Sequence, residues 1–156
     1  MRKSTLLFLI KKDGNTITDI CLAMKKRGFG KGRYNGVGGK VERDETVEEA
    51  VRREAKEEIG ISVLEMSQCA TLAFTFPHNP DWSQEVHVYF STKWEGEPTE
   101  SEEMNPSWFL VESIPYETMW PDDSYWLPKV LEGNLVKGRF VFGEGDVILE
   151  NEVTTV

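Results

Sequence analysis

Short apolar runs separated by polar turns recur along most of the chain, a pattern typical of β-strands. The runs lie at 6–10, 17–24, 69–76, 85–94, 108–111, 139–142 and 147–150. The first two are joined by KKDGNT and the last two by GEGD, and both connectors have the composition of hairpin turns. The run at 85–94 alternates between apolar and polar residues, as expected for a strand with one buried face.

Two segments break this pattern with helical periodicity. The segment VEEAVRREAKEEIG (47–60) follows Thr46, a good N-cap that forms a capping box with Glu49, and it ends at Gly60. A second helix is predicted at 121–131, with Pro128 as a kink or boundary. Strands predominate, and no repeat or linker divides the chain. The pattern therefore predicts a single α+β domain over residues 1–156.

The first helix carries carboxylates where apolar side chains are expected. At about 100° per residue, Val51 and Ala55 define the apolar stripe. Glu54, Glu57 and Glu58 lie inside or beside that stripe rather than on the opposite, charged face. Three like charges on one helix face repel each other, so the arrangement needs an explanation.

Two interpretations of these glutamates remain open. The first is that they extend the solvated face through a small slip in register. The second is that they bind a hard divalent cation, Mg²⁺ or Mn²⁺, which prefers carboxylate oxygens. The neighbouring basic side chains Arg52, Arg53 and Lys56 are expected to point elsewhere, which favours the metal. Glu45 and Arg53 are expected to form a structural pair that ties the preceding loop to the helix.

Composition and charge narrow the classes of function. The chain has 156 residues, 39% hydrophobic and 29% charged, which is the composition of a globular protein. Its net charge of -9 opposes binding to nucleic acid or to an anionic membrane. Cys21 and Cys69 are expected to be buried free thiols. The apolar run at 6–10 is too short for a signal peptide, and no run approaches the roughly 20 residues of a membrane span. A soluble cytoplasmic protein is expected, with a mitochondrial or nuclear pool left open.

The acidic chain contains one dense cluster of basic residues, formed by Lys25, Lys26, Arg27, Lys31 and Arg33. They form either a solvated turn or a local patch that guides an anionic substrate. The glycine-rich stretch around them fails the P-loop pattern, because Tyr34 and Val41 occupy positions that need Gly and Ser or Thr. With only two histidines, a typical zinc site is not expected.

The sequence GKVERDETVEEAVRREAKEEIGI, Gly39 to Ile61, matches the Nudix box G-x5-E-x7-R-E-U-x-E-E-x-G-U, where U is a bulky aliphatic residue. One position departs from it, because Ala55 stands at the first U. The chain thus resembles the Nudix family. The resemblance implies the Nudix fold, a mixed β-sheet sandwiched between α-helices. It also implies hydrolysis of a nucleoside diphosphate linked to another group.

Within that family, the chain is similar to the animal MutT homologues over nearly its whole length. The segments that carry this likeness are MKKRGFGKGRYNGVGGK, FTF, VHVYF, ESEEM and MWPDDSYW. Those relatives hydrolyse 8-oxo-dGTP and 2-hydroxy-dATP to the monophosphate and pyrophosphate. The likeness implies a small-molecule nucleotide substrate. A monomer without a nucleic-acid or membrane partner is expected.

The resemblance also implies site residues, carried over by matching position. Mg²⁺, with Mn²⁺ as the alternative, would be held by Glu54, Glu57, Glu58, Glu103 and the carbonyl of Gly38. The catalytic residues would be Glu54, Glu57 and Glu58, with the general base left open among them. The implied substrate-binding residues are Thr5, Lys25, Phe29, Asn35, Gly38, Gly39, Lys40, Phe74, Phe76, Trp120, Pro121, Asp122 and Asp123.

The adjacent acids Asp122 and Asp123 have two interpretations. By themselves they are typical of a helix N-cap followed by a first-turn acid. With the resemblance, they become readers of the purine edge that accept different bases by exchanging protonation states. Trp108 and Trp126 are expected to be core residues.

Other functions remain open from the sequence. The loop at 77–84 departs from the family pattern, and Tyr34 stands where relatives carry Trp, so specificity can differ. The alternatives are a Nudix hydrolase for methylated purine nucleotides or dinucleoside polyphosphates, and a non-catalytic nucleotide-binding module. The intact glutamates argue against the last alternative, because such modules usually lose them.

Overall fold

The computed structural model describes residues 1–156, which form eight strands and two α-helices. In chain order these are β1 (Arg2–Asp13), β2 (Thr16–Lys25), β3 (Tyr34–Asn35), α1 (Val47–Ile59), β4 (Ser62–Thr75), β5 (Gln84–Glu95), β6 (Met104–Leu110), α2 (Asp123–Leu131), β7 (Val136–Phe142) and β8 (Ile148–Thr155). Short 3-10 turns lie at Pro80–Trp82, Val111–Ser113, Tyr116–Thr118 and Glu144–Asp146. None of the helices has both the length and the apolar character needed to cross a bilayer.

The strands form one mixed sheet in the order β3-β2-β1-β5-β4-β7-β8, with β6 also paired to β2. Strand β1 joins the two parts of the sheet. Its residues 2–9 pair in parallel with β5, whereas residues 10–13 pair antiparallel with β2. The first half of β1 therefore has an edge that β2 does not cover, and this edge positions the site described below.

Both faces of the sheet are buried, and each is covered by one helix. Along β1, Phe8 and Ile10 enter one core cluster together with Trp126 of α2. The alternate residues Leu7 and Leu9 enter a second cluster, which includes Val51, Ala55 and Ile59 of α1. Alternating side chains on opposite faces give β1 its continuous apolar run. The predicted α+β fold, a mixed sheet between helices, is confirmed.

The predicted boundaries of α1 are confirmed. The Thr46 side chain accepts a hydrogen bond from the Glu49 backbone, and the Glu49 carboxylate accepts one from the Thr46 N–H at 2.8 Å. Gly60 ends the helix in the left-handed conformation, with φ 72°. Helix α2 begins at Asp123 and continues through Pro128 to Leu131, so Pro128 is not a boundary. Both cysteines are buried free thiols, as expected.

The segment at 37–41 pairs with the open edge of β1. Leu7 and Val37 exchange two backbone hydrogen bonds, of 2.7 and 3.0 Å, and the Thr5 N–H donates to the Gly39 carbonyl at 2.9 Å. Gly38 lies so close to β1 that a Cβ at this position would stand 1.9 Å from the Thr5 carbonyl oxygen. Only glycine fits this approach without moving the backbone.

We therefore expect Gly38→Ala to lower the free energy of unfolding by about 3 kcal/mol or more, because the clash is with backbone rather than with a flexible side chain. Urea unfolding followed by circular dichroism measures the change. The matched control is Gly14→Ala, which has φ 63° and no atom within 4 Å of the added Cβ. It should cost only about 1 kcal/mol. Equal losses in the two variants would contradict a steric role for Gly38.

Candidate active site

A cavity of about 390 Å³ opens between β1, the 36–40 segment, β4 and the start of α2. It combines apolar walls with a small number of polar groups, which is typical of small-molecule sites. Its polar lining includes Thr5, Lys25 and Asn35 along one side and the acid pair Asp122 and Asp123 on another. The Asn35 side chain accepts a hydrogen bond from the Gly36 N–H at 2.9 Å.

Aromatic rings form much of the cavity wall. The Phe29 ring centroid lies 5.0 Å from that of Trp120 and 5.4 Å from that of Trp82. Phe76 stacks on Phe142 at 5.1 Å with an interplanar angle of 13°. Phe29 and Trp82 are also among the exposed large apolar residues. The cavity therefore presents π-faces that suit a planar heterocycle.

The two adjacent aspartates of the cavity are almost completely buried. Asp122 occupies the N-cap position of α2 but makes no side-chain cap; instead, its Oδ2 accepts a hydrogen bond from Trp126 Nε1 at 2.8 Å. Burial raises the pKa of Asp122 to about 6. Burial, together with the neighbouring Asp122 charge, raises the pKa of Asp123 well above its ordinary value. Asp123 Oδ2 has no hydrogen-bond partner, so this oxygen is available to form a hydrogen bond with a ligand.

A second cleft, of about 620 Å³, is lined only by polar residues and glycines. It contains all three glutamates singled out on α1, together with Glu103 from the segment before β6. The two cavities share Lys25, Gly38 and Gly39 in their linings. Gly38 and Gly39 of the paired segment therefore border both the aromatic cavity and the acidic cleft.

Glu58 is the buried member of the acidic cleft, with 5% exposure. Burial, followed by its interaction with Glu54, raises the pKa of Glu58 to about 9. Its Oε2 is buried without a hydrogen-bond partner. The interpretation that the glutamates merely extend the solvated face is wrong for Glu58. The Glu57 side chain, by contrast, is 59% exposed.

The expectation that Arg53 points away from these glutamates is wrong. Its Nη1 lies 2.9 Å from Glu54 Oε1 and 3.3 Å from Glu57 Oε2. The expected pair with Glu45 is confirmed at 2.6 Å, and the Arg53 hydrogen bond lowers the pKa of Glu45. With Glu42 at 4.0 Å, the long planar guanidinium of this arginine reaches four carboxylates from one backbone position. Part of the counter-charge that the sequence assigned to a metal is thus already supplied by the helix itself.

Most of the basic cluster is paired with acids rather than free. Lys25 Nζ lies 2.8 Å from Glu103 Oε2, and this contact lowers the pKa of Glu103. Lys26 pairs with Glu100 and Arg27 with Glu102, both on the segment before β6. Lys25 is the one cationic residue that lines both cavities.

The acidic cleft fits a divalent cation by its donor chemistry. The carboxylates do not converge into a three-ligand cluster as they stand; Glu54 pairs with Arg53, and Glu103 pairs with Lys25. Glu58, which lines the cleft, has a buried carboxylate oxygen, Oε2, without a hydrogen-bond partner. Gly39 leaves room for the Glu54 carboxylate, since a Cβ there would lie 2.6 Å from Glu54 Oε1. Oxygen donors of this kind suit hard cations.

Of the predicted substrate residues, Pro121 is the one that does not line the 390 Å³ cavity. Sequence reasoning missed four polar lining residues, Arg2, Ser4, Arg33 and Gln84, and the aromatic residues Trp82 and Phe142. Strand alternation places Arg2 on the face of Ser4 and Leu6, which also line the cavity, so that periodicity was the available signal for Arg2. Trp126 is fully buried, as expected, but it also lines the cavity.

Comparisons with known proteins identify relatives of this chain. Residues 1–130 match the model of the NUDIX domain. The chain is 44% identical over 137 residues to the oxidized purine nucleoside triphosphate hydrolase of Mus musculus, covering 88% of this chain and 87% of the mouse protein. It is 40% identical to the zebrafish (Danio rerio) protein of the same name, covering 99% and 96% of the two chains. The fold matches a MutT protein from Bacillus halodurans with a TM-score of 0.83 at 22% identity, covering 98% and 97%.

The buried acid pair predicts a pH dependence of stability. Aspartates in the unfolded chain have a pKa of about 4. Because burial raises the pKa of both carboxyls, the folded state binds more protons above that pH, and its stability falls as pH rises through about 6 and beyond. Asp123→Asn removes one titrating group. We expect its melting temperature, relative to wild type, to rise between pH 5 and pH 8 by about 3 °C or more.

Differential scanning calorimetry at both pH values measures this change. The exposed Asp81→Asn serves as the matched control and should show no such trend. A pH-independent difference between Asp123→Asn and wild type would show that Asp123 is not buried as a proton-binding group.

Proposed function

The chain belongs to the NUDIX family, and we propose that it is an Mg²⁺-dependent hydrolase that cleaves oxidised purine nucleoside triphosphates to the monophosphate and pyrophosphate. Its substrates would be 8-oxo-dGTP and 2-hydroxy-dATP, removed from the nucleotide pool before they enter DNA. The named activity of the mouse and zebrafish relatives supports this choice of substrate class.

The observation that carries the proposal is the junction between the two cavities. The aromatic cavity with its acid pair suits a purine, and the acidic cleft suits a cation that binds polyphosphate. Lys25, Gly38 and Gly39 line both, so one ligand can span them. A nucleoside triphosphate has these two parts in a single molecule.

Four glutamates and one carbonyl would hold the Mg²⁺, namely Glu54, Glu57, Glu58, Glu103 and the carbonyl of Gly38. When bound there, the ion neutralises phosphate charge and makes phosphorus more susceptible to attack by water. Lys25 contributes a further positive charge where the aromatic cavity, called the base cavity from here on, meets the acidic cleft. One helix glutamate accepts the proton of the attacking water, and the broken P–O bond releases pyrophosphate.

The acid pair gives the base cavity a way to discriminate purines. Asp123, with a raised pKa and an unpartnered oxygen, can donate a hydrogen bond when protonated and accept one when ionised. The Trp126 hydrogen bond makes Asp122 the better acceptor of the two. An oxidised purine presents a changed pattern of donors and acceptors, which this pair reads at its edge. A cytoplasmic location and a monomeric state remain predictions of the sequence.

The experiment that tests this function is pyrophosphate release in Mg²⁺ from dGTP, 8-oxo-dGTP, 2-hydroxy-dATP, N6-methyl-dATP and diadenosine tetraphosphate. We expect kcat/KM for the oxidised purines to exceed that for dGTP by on the order of tenfold or more, and a chelator to abolish turnover. The same panel on Asp123→Asn should show a changed order of preference. Preference for another panel member would refute the assigned substrate class, and nucleotide binding without hydrolysis would favour a non-catalytic module.

A separate prediction concerns Glu58. We expect Glu58→Gln to lower kcat by roughly 100-fold or more, because the amide can neither take up a proton nor serve as an anionic ligand. Its melting temperature should not fall, since glutamine mimics the neutral form of this buried acid. The matched control is Glu48→Gln, an exposed residue of the same helix, which should leave kcat within about twofold. Full turnover in Glu58→Gln would exclude Glu58 from catalysis.

A further inference from the structure

Arg33 is a polar residue of the base cavity to which the proposed reaction assigns no role. Its guanidinium carbon lies 4.2 Å from the centroid of the Trp120 ring, over the ring face. Its Nη1 lies 2.9 Å from Asp146 Oδ2, and each of the two side chains is 27% exposed. One guanidinium group therefore contacts both the aromatic wall and the turn that joins β7 to β8.

The backbone holds both ends of this contact. The Lys25 N–H donates to the Arg33 carbonyl at 3.0 Å, and the Arg33 N–H donates to the Gly30 carbonyl at 3.1 Å. Gly30 has φ 85°, and a Cβ there would lie 3.2 Å from Trp120 Nε1, so the loop backbone closes on the indole edge. At the other end, Asp146 is the one residue other than glycine with positive φ, at 60°.

The positive φ of Asp146 indicates that its position is specified by more than the turn. A residue with a Cβ adopts this conformation at a cost, although aspartate tolerates it better than most. The Asp146 N–H donates to the Gly143 carbonyl at 3.1 Å, which closes the turn. In that conformation the Asp146 carboxylate reaches Arg33, which is 113 positions away in sequence.

Arginine suits the contact better than lysine does. Its planar guanidinium can stack on an aromatic face and still donate an in-plane hydrogen bond to a carboxylate. Without Asp146, the same side chain would be free to turn into solvent. The carboxylate thus keeps the guanidinium over the ring, and the guanidinium limits the movement of the ring.

We propose that Arg33 and Asp146 are positioning residues for base binding: their ion pair holds the guanidinium against Trp120 and fixes the indole plane that receives the purine. The proposal rests on the proposed function, because it takes Trp120, which lines the aromatic cavity, as a contact of the purine base. It makes the β7–β8 turn, distant in sequence from the Nudix box, part of the apparatus that determines nucleotide affinity. The competing role is a surface ion pair that only stabilises the hairpin, and such pairs contribute little.

The test uses Arg33→Met, Arg33→Lys and Asp146→Asn in the full chain. For Arg33→Met we expect KM for the preferred nucleotide to rise on the order of tenfold, with kcat within about twofold, since ring placement affects binding rather than the acidic cleft. Arg33→Lys keeps the charge but loses the planar fork, so it should rescue KM only partly. Asp146→Asn should raise KM in the same direction by a smaller factor.

The matched control is Arg139→Met. Arg139 pairs with Glu150 at 3.7 Å on the same hairpin, and their side chains are 50% and 67% exposed. KM should stay within about twofold in this variant. An equal rise in KM for Arg139→Met and Arg33→Met would overturn the proposal in favour of simple hairpin stabilisation.

A second readout needs no substrate. The chain has 5 tryptophans, so 5-fluorotryptophan labelling gives a set of resonances from which that of Trp120 is assigned by its loss in Trp120→Phe. We expect the Trp120 resonance to shift in Arg33→Met and Asp146→Asn but not in Arg139→Met. A risen KM with an unshifted resonance would mean that Arg33 contacts the nucleotide directly, which also overturns the proposal.

The two proposals fail separately in this design. Absence of turnover in the wild-type protein refutes the proposed function, whereas the fluorine spectra of the nucleotide-free variants still decide whether the ion pair fixes the ring. Wild-type turnover with unshifted Trp120 resonances in both variants refutes the positioning role and leaves the function intact.

Discussion

The backbone pairing between the 37–41 segment and the open edge of β1 is the constraint on which the site depends. Because β1 pairs with β2 only from residue 10 onward, its first half would expose unpaired N–H and C=O groups along one edge. The segment satisfies them, and Gly38 permits an approach that any Cβ would block at 1.9 Å. Gly38 and Gly39 of this segment line both the aromatic cavity and the acidic cleft. The pairing therefore satisfies the open edge of β1 and also places the backbone that borders both cavities.

Both cavities contain buried carboxyl groups, and each cavity stabilises them in a different way. In the cleft, Glu54 pairs with Arg53 and Glu103 pairs with Lys25. Glu58 is buried, and its raised pKa favours the neutral form. In the base cavity no cation pairs directly with Asp122 or Asp123, and protonation together with one indole hydrogen bond makes their burial tolerable. A protein that only needed a stable core would place apolar side chains at these positions. Both arrangements retain groups whose charge a ligand can change.

The sequence predicted features that depend on local spacing. The caps of α1, the inward placement of Glu58 and the Glu45–Arg53 pair all follow from positions within one helix and its preceding loop. The prediction for Arg53 was wrong because a helical wheel places Cβ atoms, whereas a long flexible side chain can return across its own helix to Glu54 and Glu57. The Arg33–Asp146 contact was out of reach, because nothing local relates residues 113 positions apart. Trp82 was missed for a similar reason, since its loop gave no periodicity that points to the cavity.

The overall charge shows why local pairing matters for the chemistry. A chain with net charge -9 repels a polyphosphate at long range, and the basic cluster does not reverse that field, because its members are largely paired with the acids at 100–103. Attraction must therefore act at short range, within a Debye length of about 8 Å at physiological salt. Lys25 is the cation at the junction of the two cavities, and it is shared with Glu103. Arg53 and Lys25 thus offset part of the negative charge that the glutamates bring to the cleft.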